Sequence, residues 1–375
     1  MLLNYLVFFP QNSVEALYIL TIELLVHIQD LAISSHSPSA RLTMSFARFR
    51  IPNARLIIRQ LSTSATRHQS SIPYISTCPA PTCTCAPMPP NLDIDRKTPL
   101  LNSVATYNEQ VILCTGKEDW SSRIEEEKSV SGDFIRGLRS LIGRGGEGFD
   151  PYKNILLTAS SFPESPHPST ATILLFPSFL RLTLPPTPSL IRAVAHALLG
   201  ANLHVPPEDD CMFHIIHNKV QTITKPAILI CGHGGRDARC GAVGPILRDE
   251  FVRMLERKGV DGDVALISHV GGHKYAGNVI IYHPSFPALR TQKDREEGRM
   301  SGAGIWYGRV EPRHVEGLVE ETVMKGRIIE ELFRGGVMRR GEGGETVDLG
   351  RMFEEQIRRE RGEEGGLRLR PRARA

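Results

Sequence analysis

Seven short apolar runs constrain this chain most: QVILCTG, KNILLTASSF, TATILLF, KPAILIC, DVALISH, NVIIYHP and GIWYGRV, each closed off by Gly, Pro, His or a polar residue. Runs this short are strands that bury their side chains, not helices of stable length. Segments with helical spacing alternate with them. DWSSRIEEE and DFIRGLRSLI read as helices, and TPSLIRAVAHALLG has a proline near its start and Gly200 just past its end. A further helix is expected over 243–258, where Val243, Leu247, Phe251 and Leu255 stand four apart and Gly259 ends the pattern. Another is expected over 313–325, with Val315, Leu318, Val319 and Val323 behind Pro312. The fold class is therefore α/β, and the β-α-β-β-β-α order of the second half fits a small thioredoxin-like sheet.

Four segments follow. Residues 1–72 form a leader, 73–205 an N-terminal thioredoxin-like domain with a Cys- and Pro-rich lead-in (CPAPTCTC), 206–333 a C-terminal thioredoxin-like domain, and 334–375 a disordered Gly-, Arg- and Glu-rich tail with a charged helix around 350–361. The leader's apolar stretch is broken by Glu15, Glu23, His27 and Asp30, which excludes a membrane span there. No acidic residue occurs between Asp30 and Asp93, while Arg41, Arg48, Arg50, Arg55, Arg59 and Arg67 recur among Ser, Thr and apolar residues. That is a mitochondrial presequence pattern, with Met44 as its expected start, and it leaves matrix or intermembrane space open. A net charge of +4, with arginine gathered at the two ends, supplies no basic field for nucleic acid. Seven cysteines, an odd number without a secretory cleavage pattern, favour metal or redox use over a disulfide scaffold.

The chemistry-bearing residues come in two pairs. In ICGHGGRDARCG, Cys231 and Cys240 bracket eight residues between a strand end and a helix start; in ISHVGGHKYAGN, His269 and His273 bracket three residues after another strand. Strand ends on one edge of such a sheet open into one crevice, so two sulfurs and two imidazoles can meet there. By residue type the set suits tetrahedral zinc as well as iron–sulfur chemistry. The gaps of eight and twenty-eight residues depart from zinc-finger spacing. His233 reads as a hydrogen-bonding neighbour rather than a ligand. Cys114 reads as a buried small hydrophobe, and Cys211, after an acidic pair, carries no assigned role. Cys78, Cys83 and Cys85 are candidates for thiol exchange.

The segments CGHGGRDARCG, HVGGHKYAGNVIIY and IWYGRVEP, with CPAPTCTC, PPNLDIDRKTPL and QVILCTGKEDWSSRIEEE, resemble the sucrase/ferredoxin-like family of thioredoxin-like ferredoxins. The resemblance is to its fungal mitochondrial members named for altered inheritance of mitochondria, and it spans roughly residues 73–330. It implies a 2Fe-2S cluster held by Cys231, Cys240, His269 and His273, and electron transfer with other redox proteins rather than an enzyme with its own substrate. Two neutral imidazoles in place of two thiolates raise the potential, from about −400 mV for plant-type clusters to about −150 to +300 mV for Rieske centres. The second nitrogen of each imidazole would couple the electron to a proton. Two alternatives stand beside this expectation: a thiol oxidoreductase working through Cys78, Cys83 or Cys85, and a zinc-stiffened binding module.

Overall fold

All seven apolar runs are strands in the computed structural model, which describes residues 71–200, 203–209, 211–284, 300–340 and 345–363. A two-residue strand, β1 (Tyr74–Ile75), precedes a first unit of β2 (Glu109–Cys114), α1 (Val130–Ile142), β3 (Ile155–Ser160), β4 (Ala171–Phe176), β5 (Leu180–Leu184) and α2 (Pro188–Leu199). Helix α3 (Cys211–Lys219) and β6 (Gln221–Thr222) connect to a second unit. It comprises β7 (Ala227–Cys231), α4 (Ala238–Lys258), β8 (Asp263–Ile267), β9 (Val279–His283), β10 (Ala303–Tyr307) and α5 (Pro312–Gly317), which continues as a π-helix over Leu318–Met324. Four more elements close the described chain: β11 (Ile328–Ile329), β12 (Phe333–Arg340), β13 (Glu345–Asp348) and α6 (Leu349–Glu360).

The two units share one topology. In the first, β2 pairs in parallel with β3 and antiparallel with β4, which pairs with β5; in the second, β7 pairs in parallel with β8 and antiparallel with β9, which pairs with β10. They join edge to edge through one antiparallel pair, Ser160 opposite Ile267, giving the order β13-β12-β10-β9-β7-β8-β3-β2-β4-β5-β6. Each member of that joining pair also lies opposite the last residue of its unit's first strand, Cys114 or Cys231. The joint is therefore close to a two-fold relation, and Cys114 and Cys231 occupy equivalent places.

A sheet of eleven strands curls. Here Phe176 of β4 stacks on Tyr282 of β9 at 4.4 Å between ring centroids, although four strands lie between β4 and β9 in the sheet. The enclosed face also holds Ile112, Leu229, Ile267, Ile280 and Trp306. Its polar atoms are satisfied internally. The Trp306 indole donates to the Tyr107 hydroxyl at 2.9 Å, Tyr107 and Tyr282 hydroxyls meet at 2.6 Å, and Tyr282 donates to Gln110 at 2.6 Å. Helices cover the outer face, where one hydrophobic cluster includes Val111, Phe134 and Val194 of the first unit with Ile230, Phe251 and Leu318 of the second.

Four expectations change. DWSSRIEEE yields only a single 3-10 turn, Ile124–Glu126, because Ser129 caps the helix that follows by accepting from Gly132 N–H. Helix α4 starts at Ala238 rather than 243, since Asp237 caps it and Pro245 is accommodated inside it. In the segment expected to be a disordered tail from 334, Phe333–Arg340 and Glu345–Asp348 are strands and Leu349–Glu360 is the helix expected there. Its β12 pairs with β10, and α6 buries Leu349, Phe353 and Ile357 behind an otherwise charged face. The lead-in, assigned to the first unit, packs on the second: β1 pairs with β11, Tyr74 packs edge-on against Phe353, and Thr82 donates to Glu316. The leader 1–72 and Met44 fall almost wholly outside the described residues. Among the described residues no helix is long and apolar enough to cross a membrane.

Candidate metal centre

Strand β7 delivers Cys231 at its last residue, and the chain returns nine residues later as Cys240 in the first turn of α4. Two glycine contacts draw these ends together. A Cβ on Gly244 would stand 2.6 Å from Gly232 Cα and 2.8 Å from the Cys231 carbonyl oxygen, and one on Gly241 would stand 2.6 Å from Gly234 Cα. The helix can therefore lie directly on the loop, which no residue with a side chain would allow. Both cysteines are buried and pack with Ala276, Ile94 and Val270.

The histidines arrive from the end of β8. His269 is half-buried and His273 exposed, and their ring centroids are 5.4 Å apart. The Cys231 thiol lies within hydrogen-bonding reach of Cys240 and His269, and these neighbours, Cys240 first, hold it well below the ordinary thiol range despite burial. Cys240 is pushed well above that range, by its bond to Cys231 and by burial. His269 Nδ1 is buried with no hydrogen-bond partner, a costly state for a ring nitrogen unless something else engages it.

His233 is a structural tie. Its Nδ1 accepts from the His269 backbone N–H at 3.0 Å, and its Nε2 donates to the Trp120 and Ser121 carbonyls at 3.1 and 2.9 Å. These bonds require the neutral ring protonated on Nε2. The first unit supports the cysteine loop through the same segment, because Gly235 N–H donates to the Asp119 carboxylate at 3.0 Å. Arg239 pairs with Asp237 at 2.9 Å and donates to the Asp93 carbonyl at 2.8 Å, so the lead-in closes the other side. Asp95 pairs with Lys274 at 3.0 Å and pins the residue after His273. Hydrogen bonds from Thr98, followed by those from Lys274 and Lys97, hold the Asp95 carboxyl far below its ordinary value.

The remaining cysteines lie apart from this site. Cys114 is buried and pushed up to about 12 by burial. Cys78 donates to the His314 carbonyl and is also pushed up to about 12 by burial and by Glu331. Burial and Glu250 likewise raise Cys85, while Cys83 lies 3.9 Å from the Arg253 guanidinium. Cys211 is exposed on α3. His283 Nε2 donates to the Val323 carbonyl at 3.0 Å, and His314 Nδ1 accepts from Glu311 N–H, so both are packing residues.

Among the described residues, no group of three or more His, Cys, Asp or Glu side chains is placed to hold a single metal ion. Cys231 and Cys240 form a buried pair, and His269 and His273 a second pair with one unpartnered buried nitrogen. Sequence reading missed Asp119, Ile94, Asn278 and Arg334 around this site. For Arg334 the signal was Gly272, whose left-handed φ of 70° and lack of a Cβ leave room for the guanidinium.

Comparison with known proteins bears on the same region. The sucrase/ferredoxin-like family profile matches residues 100–335. The altered inheritance of mitochondria protein 32 of Debaryomyces hansenii is 31% identical over 293 residues, 70% of this chain and 96% of that protein. Its counterpart in Clavispora lusitaniae is 47% identical over 116 residues, 31% of this chain and 37% of that protein. The one in Meyerozyma guilliermondii is 43% identical over 119 residues, 31% of this chain and 36% of that protein. No solved structure matches the chain.

Proposed function

This chain belongs to the sucrase/ferredoxin-like family, and from that premise we propose that it is a mitochondrial electron carrier holding a 2Fe-2S cluster through Cys231, Cys240, His269 and His273. The observation that carries the reading is the meeting of a buried cysteine pair and a histidine pair from two strand ends, with His269 Nδ1 buried and unpartnered. The mitochondrial assignment rests on the acid-free, arginine-bearing leader and on the names of the relatives.

Bound there, the cluster would supply one-electron transfer at a potential above that of all-cysteine plant-type centres. The chain's own residues prepare for it. Cys240 and His269 hold Cys231 toward the thiolate a metal requires, while Cys240, raised by Cys231 and by burial, must give up its proton on binding. His233 fixes the His269 backbone, and Asp119 and Arg239 hold the cysteine loop from opposite sides. Burial keeps water from the sulfurs, whereas His273 is exposed and gives a partner protein a short approach to the site.

Anaerobically purified full-length protein tests this reading. Visible absorbance, paramagnetic resonance after reduction, and matching iron and acid-labile sulfide are expected; stoichiometric zinc, or no metal after reconstitution, would end it. The double variant His269→Cys, His273→Cys is expected to keep a cluster at a lower midpoint potential, and unchanged spectra would remove both histidines from the irons. The thiol-exchange alternative draws no support from Cys78 and Cys85, whose thiols are raised away from reactivity.

A further inference from the structure

Arg334 lies in β12 and is 2% exposed, one of the largest fully buried side chains. Its guanidinium donates to Asn278 Oδ1 at 2.6 Å, the Ser103 hydroxyl at 3.0 Å and the Ser103 carbonyl at 3.1 Å. All three acceptors are neutral. Among the described residues no Asp or Glu pairs with it, whereas its neighbours Lys274 and Arg309 share Asp95. The rings of Tyr275 and Trp306 lie 5.2 and 6.0 Å from its Cζ. A buried charge without a counterion is costly, and proteins keep few of them.

Its place shows what the charge faces. The guanidinium packs against Gly272, inside the His269–His273 loop, where any Cβ would collide with it. Asn278, which accepts from it, donates through its side chain to the Gly272 carbonyl at 3.0 Å and accepts at its backbone carbonyl from Cys231 N–H at 3.0 Å. Arg334 is therefore one residue removed from both halves of the candidate ligand set. Cys231, Cys240 and Tyr275 lie within its field, and although burial lowers the guanidinium to about 10, it stays charged at neutral pH.

We propose that Arg334 is a positioning residue whose buried positive charge serves as the counterion for the electron the centre accepts, setting its reduction potential upward. This rests on the ferredoxin reading above. Two ferric ions, two sulfides, two thiolates and two neutral imidazoles sum to zero charge, so in the oxidised state Arg334 has no partner. One electron from an external one-electron donor brings the sum to minus one, and the guanidinium then faces an opposite charge. Arg334 thereby favours the reduced form without touching iron, while its hydrogen bonds keep it from leaving.

Redox titration of the full chain, wild type beside Arg334→Gln, Arg334→Lys and Asn278→Asp, tests the proposal. Asn278→Asp keeps the guanidinium but sets a carboxylate against it, so it reads the charge even where Arg334→Gln does not fold. Arg334→Gln and Asn278→Asp are expected to weaken the hold on the electron at least tenfold, a fall of about 59 mV in midpoint for a one-electron couple. Arg334→Lys, which keeps the charge, is expected to stay near wild type. An unchanged midpoint in Asn278→Asp, with the cluster's absorbance intact, would overturn the role of Arg334 and leave the ferredoxin reading standing. A wild-type chain that takes up no iron and sulfide would overturn that reading and this inference together.

Discussion

The two halves of the sheet repeat one strand pairing, and only one of them carries a candidate metal centre. Cys114 and Cys231 end equivalent strands, are both buried, and lie opposite the equivalent residues Ser160 and Ile267. Their surroundings differ. After Cys231 the chain enters a helix within seven residues and brings Cys240 back over the first thiol; after Cys114 it runs sixteen residues to Val130 and places Trp120 and Asp119 against the other unit. The loop after β8 carries His269 and His273, whereas the loop after β3 carries Phe162 and three prolines. A strand-end cysteine is thus a scaffold position, and a second thiol and two imidazoles make it a site. The unit without them has become the support.

Substitutions at the two cysteines break this comparison most directly. Cys231→Ser or Cys240→Ser is expected to abolish cluster absorbance, while Cys114→Ser leaves it intact; loss in the Cys114 variant would mean that the units are not divided as described. Next in size, Phe353→Ala and Phe134→Ala are each expected to cost about 3–5 kcal/mol, since both rings are fully buried. Hydrogen exchange should show the first loosening the second unit and the second the first. Asp119→Ala removes a charged acceptor from Gly235 and is expected to cost about 1.5–3 kcal/mol and shorten the lifetime of bound cluster in a chelator challenge. An unchanged lifetime would show that the support is only structural.

Acid sets the smallest effect, and it belongs to the second unit alone. Hydrogen bonds from Thr82, then Lys258, lower the Glu316 carboxyl from 4.5 to about 2 against the cost of burial. A depressed carboxylate contributes stability that is complete above pH 4.5 and fades as pH falls toward 2. Far-ultraviolet circular dichroism across that range should show Glu316→Gln less stable than wild type at neutral pH and nearly level with it at the acid end. A constant difference would separate Glu316 from the lead-in's attachment.

Much of this architecture was legible because the apolar runs are short and sharply bounded. AILIC and DVALI cannot be anything but buried strands, and Gly259 ended its helix where expected, at a left-handed φ of 64°. The candidate site was legible because its residues flank strand ends. Three things were hidden. FRGGVMRR reads as a charged, glycine-rich tail, yet its strand character comes from pairing with β10 rather than from its own composition. The lead-in's proline and cysteine content forbids most regular structure but says nothing about which unit it wraps. Arg334 was lost with the tail, because burial of a lone cation depends on acceptors from Ser103 and Asn278, distant in the chain.

The course of the lead-in has a consequence for the order of events during synthesis. Tyr74 and Ile75 pair with Ile328 and Ile329, and Ile72 exchanges hydrogen bonds with Gln356, so the earliest described residues wait for the latest. Until residues 328–356 are present, Ile72, Tyr74 and Ile75 have none of these partners, whereas the pairings of β2 with β3 and β4 need nothing beyond Phe176.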